Sequence, residues 1–245
     1  MGANTIRVYT ILKPEFYEAL VEYNRKHESK PLYFIQGIWS PEEAFNKEKD
    51  ALTPDVRQDF KDEIGHAVQA VYGTGTVPAK FGKASGKYTA NAGPYLAGWI
   101  VGTEWDPLLV KNTNDRHKGM QPYKGEYVQS KPEAEPFEIM LAEMLDTLAG
   151  LETKQGWQHP WAFADWVTTD PLSHPGEPLI QEDLVSVDPM HLTAKEGSAG
   201  LYASYHVYPY YPDFFRKDAS LQTVKKSKGR SGFLPGVFTA VEAAP

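Results

Sequence analysis

Short apolar runs alternate along the chain with longer segments in which apolar residues recur every three or four positions. The short runs are rich in β-branched and aromatic side chains and occupy residues 4–11, 31–38, 95–102, 160–165 and 201–207. Continuous apolar runs of this length are typical of strands buried on both faces of a parallel sheet. The pattern therefore predicts about five parallel strands.

The longer segments predict amphipathic helices between these strands. Residues 14–27, 55–72 and 137–151 each place apolar side chains on one helical face. Strands that alternate with helices form a parallel sheet, either closed as a barrel or open and doubly wound. No G-x-G-x-x-G loop follows the first strand, which disfavours a dinucleotide-binding fold. We therefore predict an α/β fold of the parallel (β/α) TIM-barrel type, incomplete because a closed barrel has eight strands and this chain offers about five to six.

Two long segments without a periodic pattern separate the predicted elements. Residues 72–93 are rich in glycine, and we interpret them as a flexible loop. Residues 166–190 are polar and rich in proline. Because this segment is too long for an ordinary connection, we predict a lid or a binding loop at the strand ends.

The size and composition of the chain indicate one globular domain and disfavour several function classes. Its 245 residues are 41% apolar, which is enough for a single core. The formal net charge of -7 disfavours a nucleic acid or an anionic membrane as a partner. The chain has no cysteine, no signal-peptide pattern and no apolar run long enough to span a membrane. None of these features assigns a cellular compartment.

Glu104 is the leading candidate for chemistry because it directly follows the predicted strand at 95–102. Catalytic side chains of barrel enzymes lie at the carboxyl-terminal rim, which is where this strand end places Glu104. The segment GWIVGTEWDP (98–107) resembles the fourth strand of the retaining glycoside hydrolase clan that includes β-galactosidases and many cellulases. The resemblance, which covers residues 4–228, implies that Glu104 is the acid/base for cleavage of a β-linked saccharide. An ordinary glutamate at a strand end is the alternative.

The same resemblance implies roles for residues on other strands. Arg7 would lie beneath the catalytic carboxylates, where its guanidinium holds one of them ionised. His206 and Tyr208 would hydrogen-bond to the catalytic pair from the end of the sixth strand. The family usually has Asn at the position of Thr103, where it binds the sugar 2-hydroxyl, so we expect this chain to bind the substrate differently at that position. The alternatives are an exposed salt bridge for Arg7 and a hydrogen-bonded core histidine for His206.

Aromatic residues make up 13% of the chain, and several of them follow predicted strands. Trp39, Trp105 and Trp166 each come just after a strand, and Tyr205 and Tyr210 belong to an aromatic run near the end of the last one. Flat rings match the apolar faces of sugars, so we predict these five residues as substrate-binding residues. Packing of the same rings in the core is the alternative.

A metal site is a competing interpretation of the acidic and histidine residues late in the chain. Asp183, Asp188, His191 and His206 occur within a short span, but their spacing fits no known ligand template. We therefore predict no metal ion and no cofactor.

A retaining glycosidase needs a second carboxylate about 5 Å from the first, and in this clan the seventh strand supplies it. Glu242 is the only late glutamate that could serve. Residues 229–245 otherwise show no helical stripe, and a back-translation can be chosen whose neighbouring frame encodes an amphipathic helix. We therefore expect a partial barrel over residues 1–228, with family strands two to six, and an irregular tail over 229–245 in a non-native reading frame.

Two function classes remain open. The first is a retaining glycoside hydrolase, and the second is a non-catalytic carbohydrate-binding or vestigial barrel that lacks the nucleophile. We expect the chain as given to be nearly inert, because without the strand-seven nucleophile the covalent step is lost and one carboxyl alone contributes about 10²–10⁴-fold. A barrel that stays open leaves two sheet edges unpaired, so we also expect self-association.

Overall fold

The computed structural model describes residues 2–174, 179 and 181–207. Its strands, in chain order, are β1 (Thr5–Val8), β2 (Tyr33–Ile38), β3 (Gly75–Val77), β4 (Gly86–Tyr88), β5 (Leu96–Val101), β6 (Val128–Ser130), β7 (Trp161–Trp166), β8 (Leu192–Ala194) and β9 (Ser204–His206). The helices are α1 (Pro14–Lys26), α2 (Glu42–Glu48), α3 (Pro54–Tyr72), α4 (Pro107–Arg116) and α5 (Pro136–Thr153).

Five of the strands form one parallel sheet in the order β1-β2-β5-β7-β9. The sheet curls through 220° into an open half-barrel that is flanked by helices. These are the five strands that the apolar runs predict, and the predicted α/β fold of an incomplete barrel is confirmed. The predicted helices are confirmed as α1, α3 and α5, with ends within a few residues of the predicted ones.

The two faces of the sheet bury different side chains because successive strand residues point to opposite faces. Trp99 and Phe163 belong to the main core, to which α3 and α5 contribute most of their buried side chains. Ile100, Ala162 and Ala164 form a smaller cluster. The helices therefore cover the outer face of the half-barrel, while small side chains line part of its inner face.

Several elements differ from the sequence-based expectation. Within residues 72–93, which we interpreted as a flexible loop, residues 75–88 form the antiparallel hairpin β3–β4. Tyr88 at the end of this hairpin is buried and donates a hydrogen bond to the Leu12 carbonyl oxygen at 2.8 Å, which fastens the hairpin to the body of the fold. The helices α2 and α4 and the antiparallel pair β6–β8 were not predicted. The tail at 229–245 lies outside the described residues.

None of the helices in the described part of the chain is long and apolar enough to cross a membrane.

Candidate functional site

The backbone turns sharply after β5, and this turn places Glu104 at the carboxyl-terminal rim of the sheet. Gly102 adopts φ +82°, and its N–H donates to the Ile38 carbonyl oxygen of the neighbouring strand at 2.8 Å. A Cβ atom at this position would overlap the Trp105 ring. Only glycine tolerates both the positive φ and the lack of space for a Cβ atom. Gly102 therefore sets the position of the Glu104 carboxylate two residues later.

Glu104 pairs with His206 across the rim. His206 Nδ1 lies 2.9 Å from Glu104 Oε1, and the His206 side chain is 9% exposed. When the carboxylate is ionised, Nδ1 must carry the proton, so neutral His206 has its lone pair on Nε2. Among the described residues, Nε2 has no hydrogen-bond partner. The structure therefore brings the side chains of His206 and Glu104 together at the rim.

The two edges of the half-barrel approach each other at this rim. Tyr9 follows β1 at one edge, and its ring centroid lies 5.8 Å from that of His206 at the end of β9, on the other edge. Arg7 lies with its guanidinium carbon 4.3 Å from the centroid of the Tyr9 ring. Arg7 therefore adjoins the site through Tyr9, and its Nε has no hydrogen-bond partner in the described part of the chain.

A cleft of 790 Å³ opens above the pair, and aromatic and acidic side chains line it. Trp39, just beyond β2, and Trp166, the last residue of β7, both line it. Trp166 Nε1 donates to the Trp105 carbonyl oxygen at 2.8 Å, which fixes the indole. The cleft size falls within the range of about 300–1,000 Å³ that small-molecule sites occupy.

The prediction for Trp105 is corrected by its burial. Its side chain is only 1% exposed and packs against Phe45 and Phe137, at centroid distances of 6.4 and 5.2 Å. The ring therefore belongs to the core and is not offered to a sugar. Its backbone still serves the site, because its carbonyl oxygen holds Trp166 in place.

Of the predicted tyrosines, Tyr205 is the one in the described part of the chain, and it does not line the cleft. Tyr205 is the strand-register partner of Asp165, and its hydroxyl is buried without a hydrogen-bond partner among the described residues. Burial raises the pKa of Tyr205, and the nearby carboxyl groups, first among them that of Asp165, raise it further. Tyr208 and Tyr210 lie outside the described residues, as does Glu242.

Glu42 is a cleft residue that the sequence did not reveal. It lies in the first turn of α2 and lines the same cleft as Glu104. Thr103, between them, shares a hydrogen bond with the Ser40 hydroxyl at 2.6 Å and donates a long one to Glu42 Oε1 at 3.5 Å. An acidic residue at a helix start is ordinarily explained by the helix dipole, so its sequence position does not single Glu42 out.

Asp106 is the third acidic residue of the cleft, and its side chain is already engaged. It caps α4 by accepting a hydrogen bond from the Leu108 N–H at 2.8 Å. Unlike Asp106, Glu42 does not cap its helix.

No group of three or more histidine or acidic side chains in the described ranges is arranged to hold a metal ion. The residues whose sequence positions suggested a metal site pair with different partners. His191 pairs with Glu138 at 2.8 Å, Asp183 with His174 at 3.0 Å, and His206 with Glu104.

Comparison with known proteins adds no family to this geometry: no protein-family model matches the chain, and no curated protein matches it in sequence.

Proposed function

We propose that the cleft binds a β-linked saccharide and that Glu104 is the acid/base of a retaining glycoside hydrolase. The observation that carries this proposal is the hydrogen bond between Glu104 and His206 at the rim of a parallel half-barrel, in a cleft lined by Trp39 and Trp166. Carboxyl groups at strand ends and flat rings beside them are what such a reaction requires.

In the proposed reaction, Glu104 donates its proton to the glycosidic oxygen while a second carboxylate attacks the anomeric carbon. Glu104 then removes a proton from the water that releases the sugar. His206 Nδ1 orients the Glu104 carboxyl group and can hydrogen-bond to it in both steps. His206 is thus a positioning residue rather than the acid itself.

The second carboxylate decides between the two function classes. Within the described chain, Glu42 is the candidate because it lines the cleft and is not used as a helix cap. Glu242, the candidate from the sequence, lies outside the described residues. If neither acts, the cleft is a non-catalytic saccharide-binding site, and this alternative is supported by the same aromatic lining.

The test is the release of nitrophenol from 4-nitrophenyl β-glycosides of glucose, galactose, mannose and xylose. We expect Glu104→Ala to lower turnover of the accepted substrate by about 10²–10⁴-fold. Azide should restore much of that turnover, because it attacks the glycosyl-enzyme without needing a base. Glu196→Gln is the matched control, since Glu196 is exposed and does not line the cleft. It lies three residues before Ala199, whose N–H donates to Gln158 Oε1 near the start of β7, at the opposite end of the sheet.

Equal turnover by the wild type and Glu104→Ala would overturn the catalytic proposal. Saccharide binding by calorimetry without any turnover would support the non-catalytic alternative instead.

A further inference from the structure

Phe81 presents a fully exposed phenyl ring at the tip of the β3–β4 hairpin, with an exposed fraction of 101%. It lies in a β-turn in which the Lys83 N–H donates to the Lys80 carbonyl oxygen at 3.1 Å. Gly82 follows with φ +73°, which suits the third position of a type II turn. The turn therefore holds the ring away from the protein surface.

Two ion pairs fasten this turn to α3. Lys80 Nζ lies 2.8 Å from Asp59 Oδ1, and Lys83 Nζ lies 2.6 Å from Glu63 Oε2. Asp59 and Glu63 are one helical turn apart, so the helix holds both ends of the turn at once. The ring contributes nothing to packing, and its anchored turn leaves it available to contact a ligand.

A second cleft, of 350 Å³, lies between Phe81 and the Glu104 site. Trp39 and Glu42 line both clefts, so the two clefts adjoin at these residues. A ligand longer than a single sugar could therefore contact both clefts.

The lining of the second cleft favours a neutral, hydroxyl-rich chain. Phe81 and Trp39 offer apolar faces, and Glu43 adds a hydrogen-bond acceptor between them. The two lysines at this cleft are paired with carboxylates, so they do not create a field that selects a phosphate or a sulfate. Sugar units combine apolar ring faces with hydroxyl groups at their edges.

We propose that Phe81 binds a distal sugar unit of a β-linked oligosaccharide whose nearer units occupy the Glu104 cleft past Trp39. This inference rests on the proposed saccharide function and specifies its substrate class as a chain rather than a single sugar.

The experiment measures affinity as a function of chain length by isothermal titration calorimetry. The probes are β-1,4-linked glucose, mannose and galactose oligomers of two and six units, titrated into the Glu104→Gln protein so that no probe is cleaved. The same background carries Phe81→Ala or, as the control, Trp157→Ala. Trp157 is 61% exposed and precedes β7 at the opposite end of the sheet.

For the sugar that binds, we expect the hexamer to bind at least tenfold more tightly than the dimer. Phe81→Ala should weaken hexamer binding by about threefold to tenfold and leave dimer binding unchanged. Trp157→Ala should change neither, and all variants should give the same circular dichroism because neither ring is buried. Equal effects of Phe81→Ala on dimer and hexamer, or none on either, would overturn this inference and leave the proposed function standing. Failure of every probe to bind would overturn both.

Discussion

Glu152 is fully buried near the end of α5 and accepts hydrogen bonds from three other residues. Its Oε1 accepts from Trp99 Nε1 at 2.8 Å, Tyr72 Oη at 2.9 Å and His159 Nδ1 at 2.7 Å, and its Oε2 accepts from the His159 N–H at 2.9 Å. Removal of this one carboxylate would leave several buried donors unpaired. The group therefore ties α3, β5 and the segment before β7 to α5.

We expect Glu152→Ala to lower the free energy of unfolding by about 3–5 kcal/mol, because each buried donor left unpaired carries a desolvation cost. Tyr72→Phe removes only one of the donors, so it should cost about 0.5–1.5 kcal/mol. Urea unfolding followed by tryptophan fluorescence measures both. Similar losses in the two variants would contradict the central role of the carboxylate.

Asp165 determines a pH dependence of stability. Burial raises the pKa of its carboxyl group well above the usual value, although Thr169 Oγ1 at 2.6 Å and the Trp166 N–H at 2.8 Å both donate to Oδ1 and oppose the shift. The folded state thus retains a proton that the unfolded chain releases near pH 4. Stability is therefore full below that pH and falls as the pH rises toward the folded-state pKa.

Asp165→Asn should remove this fall in stability, because the asparagine amide is neutral at every pH. The amide nitrogen would take the place of Asp165 Oδ2, which has no hydrogen-bond partner among the described residues. We expect the free energy of unfolding of the variant, minus that of the wild type, to increase as the pH is raised from 4 to 8. Urea unfolding at each pH measures both values. Asp115→Asn, at an exposed position on α4, should follow the wild-type curve. A constant difference between Asp165→Asn and the wild type would show that Asp165 is ionised in the folded protein.

At the scale of elements, the end of β5 is the segment on which the site depends most. Gly102 and Gly197 both have φ +82°, but a Cβ atom at Gly102 would strike Trp105, whereas Gly197 has open space around it. We expect Gly197→Ala to cost about 1–2 kcal/mol of stability from backbone strain alone. Gly102→Ala should cost about 1–3 kcal/mol more from overpacking. Thermal unfolding of the two variants separates these contributions, and equal losses would contradict the steric argument.

The elements that the sequence predicts well are those with a long, regular pattern. The stripes of α1, α3 and α5 and the apolar runs of the five parallel strands identify these elements directly. The helix α4 was not predicted because its apolar residues are consecutive, at Leu108–Val110, and do not form a helical stripe. One of its buried residues, Thr113, is polar, and its hydroxyl oxygen accepts a hydrogen bond from the Ala51 N–H. The strands β3 and β4 have three residues each, which is too short for an alternating pattern.

The same reasoning explains which site residues could be predicted. Glu104, His206, Trp39 and Trp166 follow from their positions at strand ends, since parallel strands bring these ends to one rim. Trp105 also follows a strand, but the turn at Gly102 directs its ring into the core. Sequence position alone does not give the direction of a side chain after such a turn.

At the scale of the whole molecule, the half-barrel has two edge strands. In the described residues, β1 pairs only with β2, and β9 pairs only with β7. Unpaired strand edges favour association between copies. We expect the weight-average sedimentation coefficient to rise with protein concentration in velocity runs. A single monomeric species over a hundredfold concentration range would show that these edges are covered.

We propose that the rim of the half-barrel is a saccharide site built around Glu104. The most direct measurement is a crystal structure of the Glu104→Gln protein with a bound β-linked oligosaccharide that calorimetry has shown to bind. We predict a sugar between Trp39 and Trp166, with its glycosidic oxygen within hydrogen-bond distance of residue 104. A saccharide bound elsewhere, with this cleft empty, would contradict the claim.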